Sequence, residues 1–396
     1  MTLEAIRPEE FPWFPYDGFT FCLGLAEGDA AWTSGHTAAA FDPEVGKMTV
    51  GGPMEQQART AYEKVLAILA AAGFGPEDVT RVTENITLSG LDEYDAAVAV
   101  RTELFGDRPT VRTVVVERLV RRAAFIEVEL HAVRGGGETL VASSGERSAV
   151  TEGHDGLVYL PTFVPVGADG EVVAPGDLAG QYAWCLDRAE ETLAGLGLSL
   201  DHAVTTYDYV TPDSSAADRE AAEGVRRERL AGDGIFPAAG RVEMSRLHHD
   251  GVLVALDVTA SRHPRQKVDP GWAAYDGATR SPAVRAGRGL FMSGLAARDT
   301  TTGEVLAADD LEGQAEALYE QMVALLEHEG LGPADLLETT EYCVVDAIPT
   351  YRVVAPVRER RLSPPWPAST GALCHGLDAP GLLLEVFPNA LYREDA

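Results

Sequence analysis

Gln57 to Asn85 reads QARTAYEKVLAILAAAGFGPEDVTRVTEN, and its pattern recurs twice more along the chain. Stretches opening at Gln181 and Gln314 reach a glycine at Gly197 and Gly330, at the same distance that separates Gln57 from Gly73. Between them, matched positions carry Tyr62, Leu186 and Tyr319, then Val65, Ala189 and Met322, then Leu69, Leu193 and Leu326. Steps of three and four place these side chains on one buried helical stripe. The glycine stands where a helix C-terminus favours a residue tolerant of positive φ.

Working outward, each helix is followed by a β-rich run with an acid at one matched place: Glu84, Asp208 and Glu341. A second helix follows near Tyr94, Ser215 and Ile348. Two more strands close each copy, with equal spacing from Pro109 to Leu119, Pro237 to Leu247 and Pro367 to Leu377. At one further matched distance lie Glu127, Ala255 and Glu385. Each copy opens on a hairpin-like region at Trp32–Gly35, Leu160–Phe163 and Phe291–Gly294. The order strands, helix, strand, helix, strands predicts an α+β fold in three tandem domains, each a mixed sheet with two helices on one face. Linkers are expected near Gly135–Gly137 and Arg262–Pro270, where glycine, proline and charge cluster. The domains are then 1–135, 136–264 (the divergent copy) and 265–396.

The bulk composition is that of a globular protein, with 45% apolar and 24% charged residues among 396. A net charge of −30 argues against nucleic acid and anionic membrane as partners, because a phosphate surface needs a basic face. No stretch approaches the ~18 apolar residues that span a bilayer, and the N-terminus has no signal-peptide pattern. Cys22, Cys185, Cys343 and Cys374 lie far apart without CxxC spacing. A reduced cytoplasmic protein without a metal site is expected. Gly135–Gly137 lacks the Lys-Ser/Thr of a phosphate loop, His248–His249 has no partner at metal-ligand spacing, and no cofactor is implied. Arg358, Arg360 and Arg361 read as cations complementing a helix C-terminus.

Ser34-Gly35, the glutamine-initiated helix ending in Ala-Ala-Gly-Phe, the run Asp78-Val79-Thr80-Arg81-Val82-Thr83 and the last strand Ile126-Glu127-Val128-Glu129 together resemble the Rid (YjgF, enamine/imine deaminase) family. The resemblance implies a chorismate-mutase-like fold, normally assembled as a homotrimer with a ligand cleft between adjacent subunits. Three copies in one chain would form an intramolecular pseudo-trimer whose clefts need not be equivalent. Further association between chains is left open by the sequence.

Family enzymes hydrolyse imines and enamines, with an Arg two residues after the strand Pro gripping the substrate carboxylate. That position holds Val111, Ala239 and Ser369, so the arginine is not kept in register. Arg112 lies one place later and would reach the cleft only across a bulge, since one step along a strand reverses the face. Arg241 lies two places later in the second copy.

The last-strand acids Glu127 and Glu385 are the candidate acid-base groups, with Glu129 and Asp257 on the same strand face as substitutes. Tyr16 resembles the family's N-terminal tyrosine. His36, Ser34, Ser369, Thr370 and Cys374 border the expected clefts and are candidate substrate contacts. The primary expectation is an enzyme acting on a small imine, enamine or related carbonyl-conjugated metabolite, in secondary metabolism by analogy of fold. The alternatives are a chorismatase-like hydrolase or lyase, which needs two converging cations for a dianion, and a non-catalytic ligand- or partner-binding protein with degenerate sites.

Overall fold

The computed structural model describes residues 3–141, 149–153, 156–212 and 214–393. Six α-helices pair up along the chain: α1 (Met54–Ala71) with α2 (Tyr94–Phe105), α3 (Leu178–Gly195) with α4 (Ala216–Leu230), and α5 (Leu311–His328) with α6 (Val354–Arg361). Each pair covers a sheet of seven or eight strands. The stripe that decided α1 is buried: Ala58, Ala61, Tyr62, Val65, Ile68 and Leu69 are fully enclosed against the sheet. Each such aliphatic side chain contributes roughly 1.5–3 kcal/mol by leaving water. The helix breaks at Gly73, whose φ of 79° has its counterparts in Gly197 at 72° and Gly330 at 71°.

The three matched glutamines have a common structural role. Gln57 donates to the carbonyls of Gly52 and Ala123 and accepts from Phe125 N at 2.9 Å. Gln181 and Gln314 likewise accept from Leu253 N and Leu383 N, at 2.7 and 2.8 Å, and donate to Gly251 and Gly381. Each amide ties a helix start to the turn before a last strand, and its buried polar atoms are satisfied.

In every sheet the last strand is central. Ile126–Val133 runs antiparallel to Val79–Thr87, which pairs in parallel with Thr110–Val116. Val254–Ser261 and Leu384–Leu391 hold the same places in the second and third sheets. A register shift recurs near the start of the middle strand, between Ala203 and Thr205 and between Leu336 and Glu338, opposite the one at His131 and Ala132. The stretch Arg262–Pro270, expected as a linker, differs: Arg265–Val268 is a strand paired with Ala283–Ala286. Its register is pinned by Arg265, buried and bonded to Ala203 O at 2.7 Å and Asp233 at 2.5 Å.

The matched acids are hubs. Glu84 accepts from Tyr62 and Tyr94 at 2.6 Å each and pairs with Arg101. Glu341 does the same with Tyr319, Tyr351 and Arg358, and Asp208 with Tyr182 and Arg226. Arg358 stands in the last turn of its helix, as expected, and is also a buried partner of Glu341 at 3.3 Å. An unpaired charge at that depth would be strongly destabilising.

The sheets join edge to edge. Arg118–Leu119, from the first, pairs with Ala368–Cys374 of the third, and Gly376–Leu377 pairs with Ala238–Glu243 of the second. Thr113 N, in turn, donates to Thr162 Oγ1 at 3.0 Å across the junction of first and second sheets. Among the described residues no helix is long and apolar enough to cross a membrane, and no cluster of three or more His, Cys, Asp or Glu has metal-binding geometry.

Candidate functional site: two unlike clefts

A junction between sheets brings a last-strand position against the edge strand of its neighbour. At the junction of third and second sheets, Gly294 N donates to Ala239 O at 2.9 Å and Ala239 N donates to Ser293 Oγ at 2.8 Å. At the junction of first and third, Gly35 N donates to Ser369 O at 3.2 Å and Ser369 N to Ser34 Oγ at 2.8 Å. The acid lies directly against the glycine at both places. A Cβ on Gly35 would stand 2.6 Å from Glu127 Oε1, and one on Gly294 would overlap the Glu385 carboxyl.

The cleft beside the junction of third and second sheets, lined by residues between Trp272 and Glu385, has a volume of about 260 Å³. Glu385, 3% exposed, forms its floor. Arg280, Arg298 and Asp378 line it, with Trp272 and Tyr275 beside them. Burial pushes the Glu385 carboxyl up to about 8, with Asp378 adding to the effect and Arg280, Arg298 and the backbone N–H of Arg241 opposing it. It is therefore a carboxylic acid at neutral pH, able to donate a proton. Asp378 pairs with Arg298 and lies 3.8 Å from Arg280. Burial works against its ionisation, but Arg280 and then Arg298 hold its carboxyl below the ordinary range. The arginine side chains are 29% and 25% exposed, so both can meet a ligand. Asp299 also lines the cleft, so two cations face two carboxylates and one neutral acid, with no net charge.

The cleft of first and third sheets is larger, about 630 Å³, and aromatic. Phe14, Phe19 and Phe21 line it, with Glu127, His36 and Lys64. Burial pushes Glu127 up to about 8; Glu129 adds to this and Lys64 opposes it. Burial also holds Lys64 down to about 7, against the pull of Glu127, and takes His36 to about 3, helped by Lys64. Glu127 and His36 favour their neutral forms at pH 7, and Lys64 stands near the balance of amine and ammonium.

At the junction of second and first sheets, the position matched to these acids is Ala255, fully buried in an apolar cluster with Val114, Leu247 and Val252.

The Endoribonuclease L-PSP family matches residues 20–134. A RutC family protein of Pyrococcus horikoshii is 31% identical over 94 residues, which is 24% of this chain and 72% of the relative. A RutC family protein of Pyrococcus abyssi aligns with the same identity and coverage. The chain belongs to the Rid (YjgF/RutC) family. A chorismatase crystal structure is similar over 79% of this chain and 93% of its own, with a TM-score of 0.51 at 16% identity. At that identity the likeness concerns the fold alone.

The Rid resemblance singled out residues that the structure distributes among three places. Glu127, His36, Ser369 and Thr370 line the aromatic cleft together, and Glu385 lies in the other. Arg112 does not reach a cleft. Its strand pairs with Val79–Thr87 without a bulge, and its guanidinium bonds Leu160 O at 3.1 Å, Val258 O at 2.7 Å and Thr259 Oγ1 at 2.9 Å. It lines an inner cavity of about 130 Å³ with Arg81, Glu129, Asp257 and Glu338. Glu129 and Asp257, the possible substitutes, are committed there: Glu129 accepts from Thr370 at 2.5 Å and Asp257 from Thr162 at 2.5 Å.

Tyr16 bonds to Pro8 O at 3.0 Å and packs on Phe11 outside the aromatic cleft. Ser34, fully buried, spends its hydroxyl on Cys22 O at 2.5 Å and on Ser369 N, so it clips the junction. Cys374 is enclosed in the apolar cluster around Val114, Leu119 and Tyr342, and burial pushes its thiol well up. Arg241 is bound to Asp208 at 3.1 Å and Glu223 at 2.8 Å.

Arg280, Arg298, Tyr275, Asp378 and Lys64 were not anticipated. The first four lie in loops and a single 3-10 turn, which carry no periodic signal. Lys64 had one: the steps 57, 61, 64 and 68 put it on the buried stripe of α1.

Proposed function

We propose that the chain is an intramolecular trimer of Rid-like domains (1–135, 136–264 and 265–396) whose third-to-second cleft deaminates a small imine or enamine bearing one carboxylate. The observation that carries this reading is the convergence of a protonated Glu385 with Arg280 and Arg298 on one space. Planar guanidinium groups match a carboxylate in the way the missing strand arginine would. They come from the same part of the chain as Glu385, between Trp272 and Glu385, rather than from the second sheet's edge strand.

In this reading Glu385 gives its proton to the enamine carbon, and the C=C electron pair forms the new C–H bond. The iminium carbon then takes a water molecule. Glu385, now a carboxylate, removes a proton from that water and passes it to the nitrogen, which leaves as ammonia. As the C–N electron pair departs with nitrogen, the hydroxyl gives its proton back to Glu385 and C=O forms, which leaves a ketone and restores the acid. General acid-base help of this kind is worth roughly 10²–10⁴-fold.

The test is ammonia and pyruvate release from 2-aminoacrylate generated in situ by a second enzyme. Glu385→Gln is expected to lower the rate at least 100-fold, and Arg280→Gln to raise KM. Full activity in Glu385→Gln would sink the reading, as would activity that survives there but disappears in Glu127→Gln.

A further inference from the structure

Lys64 is one of only three lysines, with Lys47 and Lys267, and those two are exposed. Its side chain is fully enclosed on the sheet-facing side of α1. The matched positions in α3 and α5 hold Arg188 and Gln321, so the group is particular to the first-to-third cleft. Lys64 Nζ donates to Thr37 O at 2.7 Å and to Ala39 O, and no third acceptor is within reach among the described residues. An ammonium has three N–H donors, a neutral amine two. The amine is satisfied in this setting, whereas the ammonium would leave a buried donor bare. Its lone pair is then the one valence the protein does not engage.

Around it are the features of a ligand site. Lys64 Nζ lies 5.4 Å from the Phe14 ring centroid, and Phe19 and Val120 at the rim are 40% and 38% exposed, as if awaiting an apolar guest. His36, 4% exposed, leaves its Nε2 without a partner. Arg358, the deep arginine on this side, is committed to Glu341, while Arg121 and Arg352 stand exposed in the cleft's lining.

We propose that this cleft is a second site of different chemistry, which captures an aromatic aldehyde or ketone as an imine of Lys64. The amine lone pair adds to the carbonyl carbon while the C=O pair moves to oxygen and takes the Glu127 proton. The Glu127 carboxylate then removes a proton from nitrogen. Returned to the hydroxyl, that proton lets water depart with the C–O electron pair as C=N forms, and the iminium loses its proton to Glu127. The sum is amine plus carbonyl giving imine plus water, with no oxidant or reductant. His36 Nε2 offers a hydrogen bond to the hydroxyl that leaves. This inference stands apart from the deaminase reading, since it uses another cleft and other residues.

The test uses the full chain, benzaldehyde as the probe, and cyanoborohydride to reduce any imine, with peptide mapping by mass spectrometry. One benzyl group per chain is expected on Lys64, formed at least ten times faster than on Lys47 or Lys267. Glu127→Gln should slow that capture at least tenfold, and Glu385→Gln should leave it unchanged. Absence of label on Lys64 in the wild-type chain overturns the proposal, as does labelling no faster than at the two exposed lysines.

Discussion

Replacing Glu385 by Gln should stabilise the protein while it disables the cleft, and the gain should depend on pH in a way the structure specifies. In the unfolded chain this carboxyl ionises near its ordinary value of 4.5, whereas in the folded protein burial keeps it protonated up to about 8. A folded value above the unfolded one means that the folded state binds more protons across that window, so stability falls as pH rises through it. At pH 7 the penalty is about 3 kcal/mol, and at pH 5 it is under about 1 kcal/mol. Glutamine has the same shape beside Gly294, keeps an oxygen for the Arg241 N–H, and has no proton to lose. Urea unfolding of both proteins at pH 5 and pH 7 measures the difference. The variant should gain little at the lower pH and about 2–3 kcal/mol at the higher. A gap that does not grow with pH, or a less stable variant at pH 7, would refute the claim that Glu385 is held neutral.

Other outcomes follow from the same geometry. Gly35→Ala forces a methyl group against the Glu127 carboxyl and Thr370 Oγ1; a loss of about 1–3 kcal/mol is expected in thermal or urea unfolding. Arg358→Met strands the Glu341 carboxylate among Tyr319 and Tyr351 and should cost about 3–5 kcal/mol, with most of that recovered in the double variant Arg358→Met/Glu341→Gln. Arg280→Gln and Arg298→Gln share Asp378, so their effects on KM in the aminoacrylate assay should not add. Activity of the wild-type chain should be level below pH 8 and fall tenfold per pH unit above it, as Glu385 loses its proton.

The repeat was legible because helix periodicity, C-terminal glycines and strand prolines each leave a local signature. Even the glutamine that opens each helix was visible, though its reason was not: it reaches across roughly 70 residues of chain to a turn the sequence cannot bring near. Glu127 and Glu385 stood out as acids in apolar strands, because burying a carboxylate is costly enough to be noticed. Arg112 shows the limit of that approach. Its register left the direction open, and only the unbulged pairing with Val79–Thr87 sends it inward to the carbonyls of the second sheet.

Residue types and their spacing thus determined which helices and strands form and in what order. Which acid meets which cation was decided by tertiary structure alone. Arg280 and Arg298 share a cleft with Glu385 from loops with no periodic constraint, and Lys64 is held down to about 7 only because burial removes its water. Charge state depends on the total surroundings of an atom, and a linear sequence specifies only its neighbours along the chain.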